Sequence, residues 1–478
     1  MMKRYRIARI EGRWTNFVPP IQGGAFCKTP TEPSSSATDG GITSSNATPL
    51  SRTPSPLFDQ SSSHSELRRR PNDQQRDHDG SLDDALDGMV YLDMQTREQI
   101  NLDLDRYPAV DTCTQQVIVD KYRALNEEIK RRGLYQCDYR AYAVELFRYS
   151  LMFGAFWILL LRGHYALSGF FLAIFWQQLV FTAHDAGHLG ITHNLHIDSV
   201  IGIFIADFLG GLSLTWWKRN HNVHHIVTNS PEHDPDIEHM PFFAVSHRLL
   251  SNLRSTYYDK VMEYDAAAKF FISLQAWLYY PVMGLARFNL YRLSWDHLLA
   301  RRGPQKGVTW WYWWLEMTGQ VCFWIWFGYG VMYSFIPTNT DRFVFIMVSH
   351  TVSAILHIQI TLSHFAMSTA DLGPQESFPQ RMLRTTMDVD CPQWLDFFHG
   401  GLQFQAVHHL FPRIPRHNLR EAQKLVQEFC ADTGIPYALY GFAKGNGRVI
   451  GKLAEVSRQA AILAECQRSM MAKGFFAH

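Results

Sequence analysis

Cysteine is scarce in this chain and never paired at close spacing. Seven cysteines (Cys27, Cys113, Cys137, Cys322, Cys391, Cys430, Cys466) are scattered over 478 residues with no C-x-x-C, which excludes a disulfide framework and a cysteine zinc site and reads as reduced thiols. Excess charge is absent as well. Lys plus Arg number 45 against 44 Asp plus Glu, a net +1, so no nucleic-acid or acidic partner is implied. The basic N-terminus lacks the apolar run of a secretory signal.

What the chain does have is uneven. Residues 1–26 form a short mixed segment, too small for a core. Residues 27–90 are rich in Ser, Thr, Pro and Asp, as in "TPTEPSSSATDGGITSSNATPLSRTPSP", and read as a disordered linker. Residues 91–140 read as polar helices before a membrane domain, with "VDKYRALNEEIKRRG" the best candidate.

Four apolar runs follow: Leu146–Leu161, Leu167–Thr182, Trp310–Phe335 and Phe343–Leu362. A helix crosses a bilayer with about 20 predominantly apolar residues, and polar flanks extend the two shorter runs. Two weaker segments, Ile197–Trp217 and Ala266–Phe288, are interrupted by Gly, Asp or Pro and suit interfacial or re-entrant helices. The fold class is therefore mainly α, an integral membrane protein of about four transmembrane helices. Residues 141–365 form the membrane domain and 366–478 a helical cap. "RIPRHNLREAQKLVQEFCADTG" and Val449–Met470 are amphipathic helices of that cap.

Basic residues set the orientation. Lys218, Arg219, Arg287, Arg292, Arg301, Arg302 and Lys306 lie between the second and third runs, and Arg381, Arg384, Arg413, Arg416 and Arg420 follow the fourth. The other two loops carry only Arg162 and Arg342. Both termini then face the cytosol, and the sequon at Asn46 stays unglycosylated. The aromatic stretch "TWWYWWLEMTGQVCFWIWFGYG" reads as interfacial anchoring rather than a tunnel lining. Glu316 inside it is costly unless hydrated or paired.

Histidines gather at the cytosolic ends of this pattern. "HDAGH" places His184 and His188 one helical turn apart. "HNVHH" puts His221, His224 and His225 on one face by i, i+3, i+4 spacing, and "QAVHH" repeats that spacing with Gln405 in the first place, then His408 and His409. His364 ends the fourth run. Neutral imidazole ligates iron, copper, nickel and zinc. Eight histidines exceed one tetrahedral zinc and suit two octahedral irons. The glutamate of H-E-x-x-H zinc proteases is missing. Asp185 stands beside the first box, where it could hydrogen-bond a ring N–H. "HDPDIEH" supplies His233, Asp234, Asp236 and His239 and reads as a solvated acidic turn, with support of the metal-ligating histidines as the alternative.

The order H-x-x-x-H, H-x-x-H-H, Q-x-x-H-H resembles the membrane fatty-acyl and sphingolipid desaturase family, front-end branch. "HDAGHLGITHN", "WWKRNHNVHHIVTNSPEHDPDIEHMPFF" and "QFQAVHHLFPRIPRHNLR" are most similar to its fungal delta-8 sphingolipid members, over about residues 140–440. The resemblance implies a non-haem di-iron centre on His184, His188, His221, His224, His225, His364, His408 and His409, with no catalytic side chain beyond the ligands. Gln405 stands where relatives have histidine. Asp185, His193 and His357 are implied as ligand or supporting residues. Also implied are O2 as co-substrate, a lipid substrate from the bilayer, electrons from cytochrome b5 and its NAD(P)H-dependent reductase, and an endoplasmic reticulum membrane location.

Members of this branch often carry an N-terminal cytochrome b5 domain with H-P-G-G. This sequence has no H-P-G-G and its first histidine is His64. Either the chain is truncated or it draws on a separate cytochrome b5. The expected function is desaturation at carbon 8 of a sphingolipid long-chain base. A front-end fatty-acyl desaturase or a lipid hydroxylase on the same metals is the alternative among enzymes, and a non-catalytic membrane lipid or metal binder is the alternative outside them.

Overall fold

The computed structural model describes residues 80–474, with side chains over residues 90–468. The segment at 1–26, most of the proposed linker and Asn46 lie outside the described residues. Helix begins inside the remainder of that linker: α1 spans Gly80–Arg106. Next comes α2, Thr112–Arg131, capped by the Asp111 carboxylate on the Thr114 amide. Its apolar stripe Ile118, Tyr122, Leu125, Ile129 recurs every three or four residues and is buried, as an amphipathic helix on a core requires.

Two antiparallel helices follow, α3 (Tyr139–Leu161) and α4 (Tyr165–Gly187), then α5 (Leu195–Ile203), which runs into a π-helical turn, Phe204–Leu209. After a bend of 117° the chain enters α6, Leu214–Val227. The bent pair fits the re-entrant reading of Ile197–Trp217. The other weak segment is not broken at all: it opens a single 34-residue helix, α7 (Ala266–Leu299), that carries Pro281 inside it. A two-residue antiparallel ladder, β1 (Arg254–Ser255) with β2 (Lys260–Val261), precedes α7.

The aromatic run folds as α8 (Tyr312–Phe323) continued by a π-helical stretch, Trp324–Phe335. Next, α9 spans Asn339–Phe365. By length and composition α3, α4 and α9 can each cross a membrane, and the bent pair of α5 and α6 can count as one more. Around α4, the residues Phe156, Leu172, Trp176, Phe323, Phe327 and Phe345 form one aromatic core that unites α3, α8 and α9. Trp314 and Trp310 stay exposed, whereas Phe323 and Phe327 are buried. The run thus both faces outward and packs.

The C-terminal cap holds α10 (Phe378–Thr385), α11 (Asp396–His399), α12 (Gln405–Leu410), α13 (Leu419–Thr433) and α14 (Phe442–Gly474). Strands β3 (Asp388–Asp390) and β4 (Leu439–Gly441) pair in parallel. Both expected amphipathic cap helices form, as α13 and within α14. Helix α2 packs on α13 through Tyr122, Leu125, Ile129, Val426 and Phe429. Helix α1 joins α14 through Leu92, Val456 and Ala460. The cap therefore includes the helices that precede the membrane domain. All six described cysteines are free thiols.

Candidate metal centre

Helix α4 ends at Gly187, so His184 and His188 lie in and just beyond its last turn. The neighbouring helix end is kept close by glycine: a Cβ on Gly187 would come within 2.2 Å of the Trp217 ring. Trp217, on α6, in turn stacks on His221 with ring centroids 4.5 Å apart.

Helix α6 begins deep in the protein, and its N-terminus is held by carboxylates. Ser213 caps the Trp216 amide at 3.1 Å, Glu316 accepts from the Thr215 amide at 2.8 Å, and Asp207 accepts from the Leu214 amide at 3.3 Å. Glu316 also accepts from the hydroxyls of Ser213 and Thr215. These are its partners, which the sequence could not name, and they use the donors that every helix start leaves free. The cap aims α6 so that His221, His224 and His225 are all buried.

Helices from distant parts of the chain then meet. Ligand-type atoms of His184, His188, His221 and His408 lie within 4.8 Å of one another, and those of His224, His364 and His409 form a second such group. His225 lies between the groups: its ring is 4.7 Å from His188, 4.8 Å from His408 and 4.2 Å from His409, centroid to centroid. Its Nε2 sits 3.0 Å from that of His221.

The nitrogen chemistry fits metal binding. Buried polar atoms normally have hydrogen-bond partners, yet His188 Nε2, His225 Nδ1, His364 Nδ1, His408 Nε2 and His409 Nε2 are buried with none. Burial, reinforced by the surrounding histidines, holds His408 and His409 well below the ordinary imidazole range. They are neutral at physiological pH, with a lone pair to offer. Buried, partnerless imidazole nitrogens gathered at four helices, α4, α6, α9 and α12, have few uses other than holding a pair of cations.

The remaining candidates fall elsewhere. Gln405 is buried beside His364. The nearest ring nitrogen to Asp185 is Nδ1 of His184, at 4.0 Å, too far for a hydrogen bond. Instead Asp185 takes the Tyr142 hydroxyl at 2.5 Å and the Arg416 guanidinium. Arg416 also binds Glu145, which accepts from His417 at 2.9 Å. This ties the segment after the third box to α3 and α4. His193 is exposed, its two nitrogens facing the carbonyls of Leu189 and Tyr135 at 2.7 and 2.8 Å, outside both groups. His357 lies half-buried on α9, seven positions before His364 and outside both groups.

The acidic turn is packed rather than solvated, and its geometry fits the alternative, a supporting role. Asp234 is fully buried and accepts from Nδ1 of His224 at 2.8 Å, so "HDPDIEH" is not a solvated loop. Asp236 stands 3.5 Å from Nδ1 of His221 and, with His221 and His224, forms a third group of possible ligands. The alternation of two aspartates ten and more residues after a histidine carries no helical period. Only the fold brings them back.

Residues 139–441 match the model of the family described as fatty acid desaturase. A delta 8-(E)-sphingolipid desaturase of Emericella nidulans is 56% identical over all of this chain and 86% of its own length. One of Kluyveromyces lactis is 48% identical over 98% of this chain and 83% of its own. A Delta(8)-fatty-acid desaturase of Helianthus annuus is 36% identical over 71% of this chain and 73% of its own. With its paired histidine groups at the ends of apolar helices, the chain belongs to the fatty acid desaturase family and is a membrane-bound lipid desaturase.

Proposed function

We propose that this enzyme introduces a double bond at carbon 8 of a sphingolipid long-chain base. Two non-haem irons would be held by His184, His188, His221 and His408 on one side, by His224, His364 and His409 on the other, and by His225 between them. The observation that carries the reading is the pair of adjoining histidine groups, which with His225 include five buried ring nitrogens without a hydrogen-bond partner. Identity to fungal delta 8-(E)-sphingolipid desaturases along the whole chain supports the lipid.

Bound iron supplies the activation of dioxygen that no side chain provides. The chain's own groups prepare the site. Asp234 holds the proton of His224 on Nδ1, which leaves Nε2 for a metal, and a carboxylate there also raises the basicity of the ring. Burial and the neighbouring rings keep His408 and His409 uncharged. The balance of the reaction is fixed: two hydrogens leave adjacent carbons, two electrons and two protons come from outside, and dioxygen leaves as two waters. Cytochrome b5 and its reductase are the proposed electron source. The endoplasmic reticulum is the proposed membrane, with the termini and histidines on its cytosolic face, as the basic loops support.

Expression in a yeast strain lacking this desaturation, with and without a separate cytochrome b5, tests the proposal by lipid analysis. The expected product is a delta-8 unsaturated long-chain base that disappears in His184→Ala. An unsaturated fatty acyl chain in its place, or a product with added oxygen, would overturn the substrate or the reaction class.

A further inference from the structure

The segment after α6 touches every member of one histidine group. Asp234 accepts from Nδ1 of His224 at 2.8 and 3.0 Å through its two oxygens. The carboxylate is itself fixed by the backbone amides of Asn229 at 2.7 Å and Asp236 at 2.9 Å. Thr228 donates its hydroxyl to the His224 carbonyl at 2.6 Å. Its oxygen is then left to accept from Nδ1 of His409, 3.1 Å away. Asn229 has φ +58°, a left-handed conformation that asparagine tolerates better than most side chains. From there its Nδ2 donates to the carbonyl of His364 at 2.8 Å and to that of Thr385 at 3.1 Å.

Three helices are thus tied to one turn. With protons fixed on Nδ1 of His224 and His409, the free lone pairs lie on Nε2, and Nε2 of His409 is among the buried atoms without a partner. The other group meets this segment only at Asp236, 3.5 Å from Nδ1 of His221, and its remaining supports are different. Trp217 stacks on His221, and Arg416 with Tyr142 holds the Asp185 that adjoins His184.

We infer that Thr228, Asn229 and Asp234 are positioning residues that assemble the His224–His364–His409 metal position, separately from the His184–His188–His221–His408 position. This rests on the two-metal reading above. The two positions then differ in how they are built, and damage to the turn empties one of them.

The test uses the full chain, purified in detergent with iron-57. Iron per chain, the Mössbauer spectrum and the unfolding temperature are measured for the parent, Thr228→Val, Thr228→Ser, Asn229→Gly, Asp234→Asn and Arg416→Lys. Loss of a histidine's hydrogen-bond partner weakens metal binding by roughly 10–100-fold. Thr228→Val, Asn229→Gly and Asp234→Asn are expected to fall from two irons toward one and to lose one of two spectral components. Thr228→Ser should keep both, and Arg416→Lys should not reproduce that selective loss. Thr228→Val keeps the side chain's shape but leaves Nδ1 of His409 without its acceptor, so a modest fall in unfolding temperature is expected that Thr228→Ser does not show. Two irons with the parent spectrum in Thr228→Val and Asp234→Asn would overturn the inference. So would loss of both irons in step at an unchanged unfolding temperature. A parent that holds fewer than two irons would overturn the two-metal reading itself.

Discussion

Oε1 of Glu316 accepts a hydrogen bond from the backbone amide of Thr215 at 2.8 Å. A carboxylate in the middle of an aromatic run, costly in an apolar setting, is thereby used to start the helix that carries the second histidine box. Glu316→Ala leaves the Thr215 amide and the Ser213 and Thr215 hydroxyls without that acceptor. The expected loss of stability is about 1–3 kcal/mol, read as a lower unfolding temperature in detergent. Glu316→Gln keeps one carbonyl oxygen and should recover part of it. Equal unfolding temperatures for Glu316→Ala and the parent would show that the cap contributes nothing.

Arg416 is buried against Asp185 and Glu145. Without it Asp185 would keep only neutral donors such as Tyr142, and Glu145 would rely on His417, Tyr149 and Arg148; breaking a buried pair typically costs about 3–5 kcal/mol. Arg416→Ala should unfold at a clearly lower temperature. Arg416→Lys keeps the charge but loses the planar fork and should recover only part. A lysine variant as stable as the parent would show that charge alone suffices.

Gly187 has no room for a side chain: its added Cβ would meet Trp217 at 2.2 Å. Overpacking of this kind costs about 1–3 kcal/mol. Because Trp217 stacks on His221, Gly187→Ala should lower desaturation more than Gly154→Ala on α3, where an added Cβ meets nothing within 4 Å. Product yield per amount of membrane-inserted protein decides it.

His247 Nε2 meets the Thr96 hydroxyl at 2.8 Å and joins α1 to the loop before α7. Burial, with Lys452 and Arg248 nearby, pulls its pKa down to about 4. The folded form therefore favours the neutral ring. Its contribution is fully present above the ordinary histidine value of 6.5 and is lost as pH falls from there toward 4. Hydrogen exchange in α1 should rise over that window, and His247→Asn should flatten the rise. An identical pH profile in the variant would remove His247 as the cause.

The histidine boxes were legible in the sequence because their spacing is local. His221, His224 and His225 share a face by helical geometry alone, and charge asymmetry put each box at the same end of the bundle. At Asp234 composition favours solvent over a supporting role, because its partner lies across a turn with no period. Glu316 was recognised as costly, but its partners sit on a helix about a hundred residues away. Arg416 counted only as one more basic residue.

The sequence by itself determined that apolar runs of spanning length alternate with histidine boxes, since both follow from hydropathy and the 3.6-residue period. Only the tertiary structure decided how the histidines divide between two groups and which polar side chains hold them. Those pairings depend on directional hydrogen bonds between residues far apart in the chain, such as Asn229 with His364 and Arg416 with Asp185. Such bonds form only after the helices have packed, and no local pattern records them.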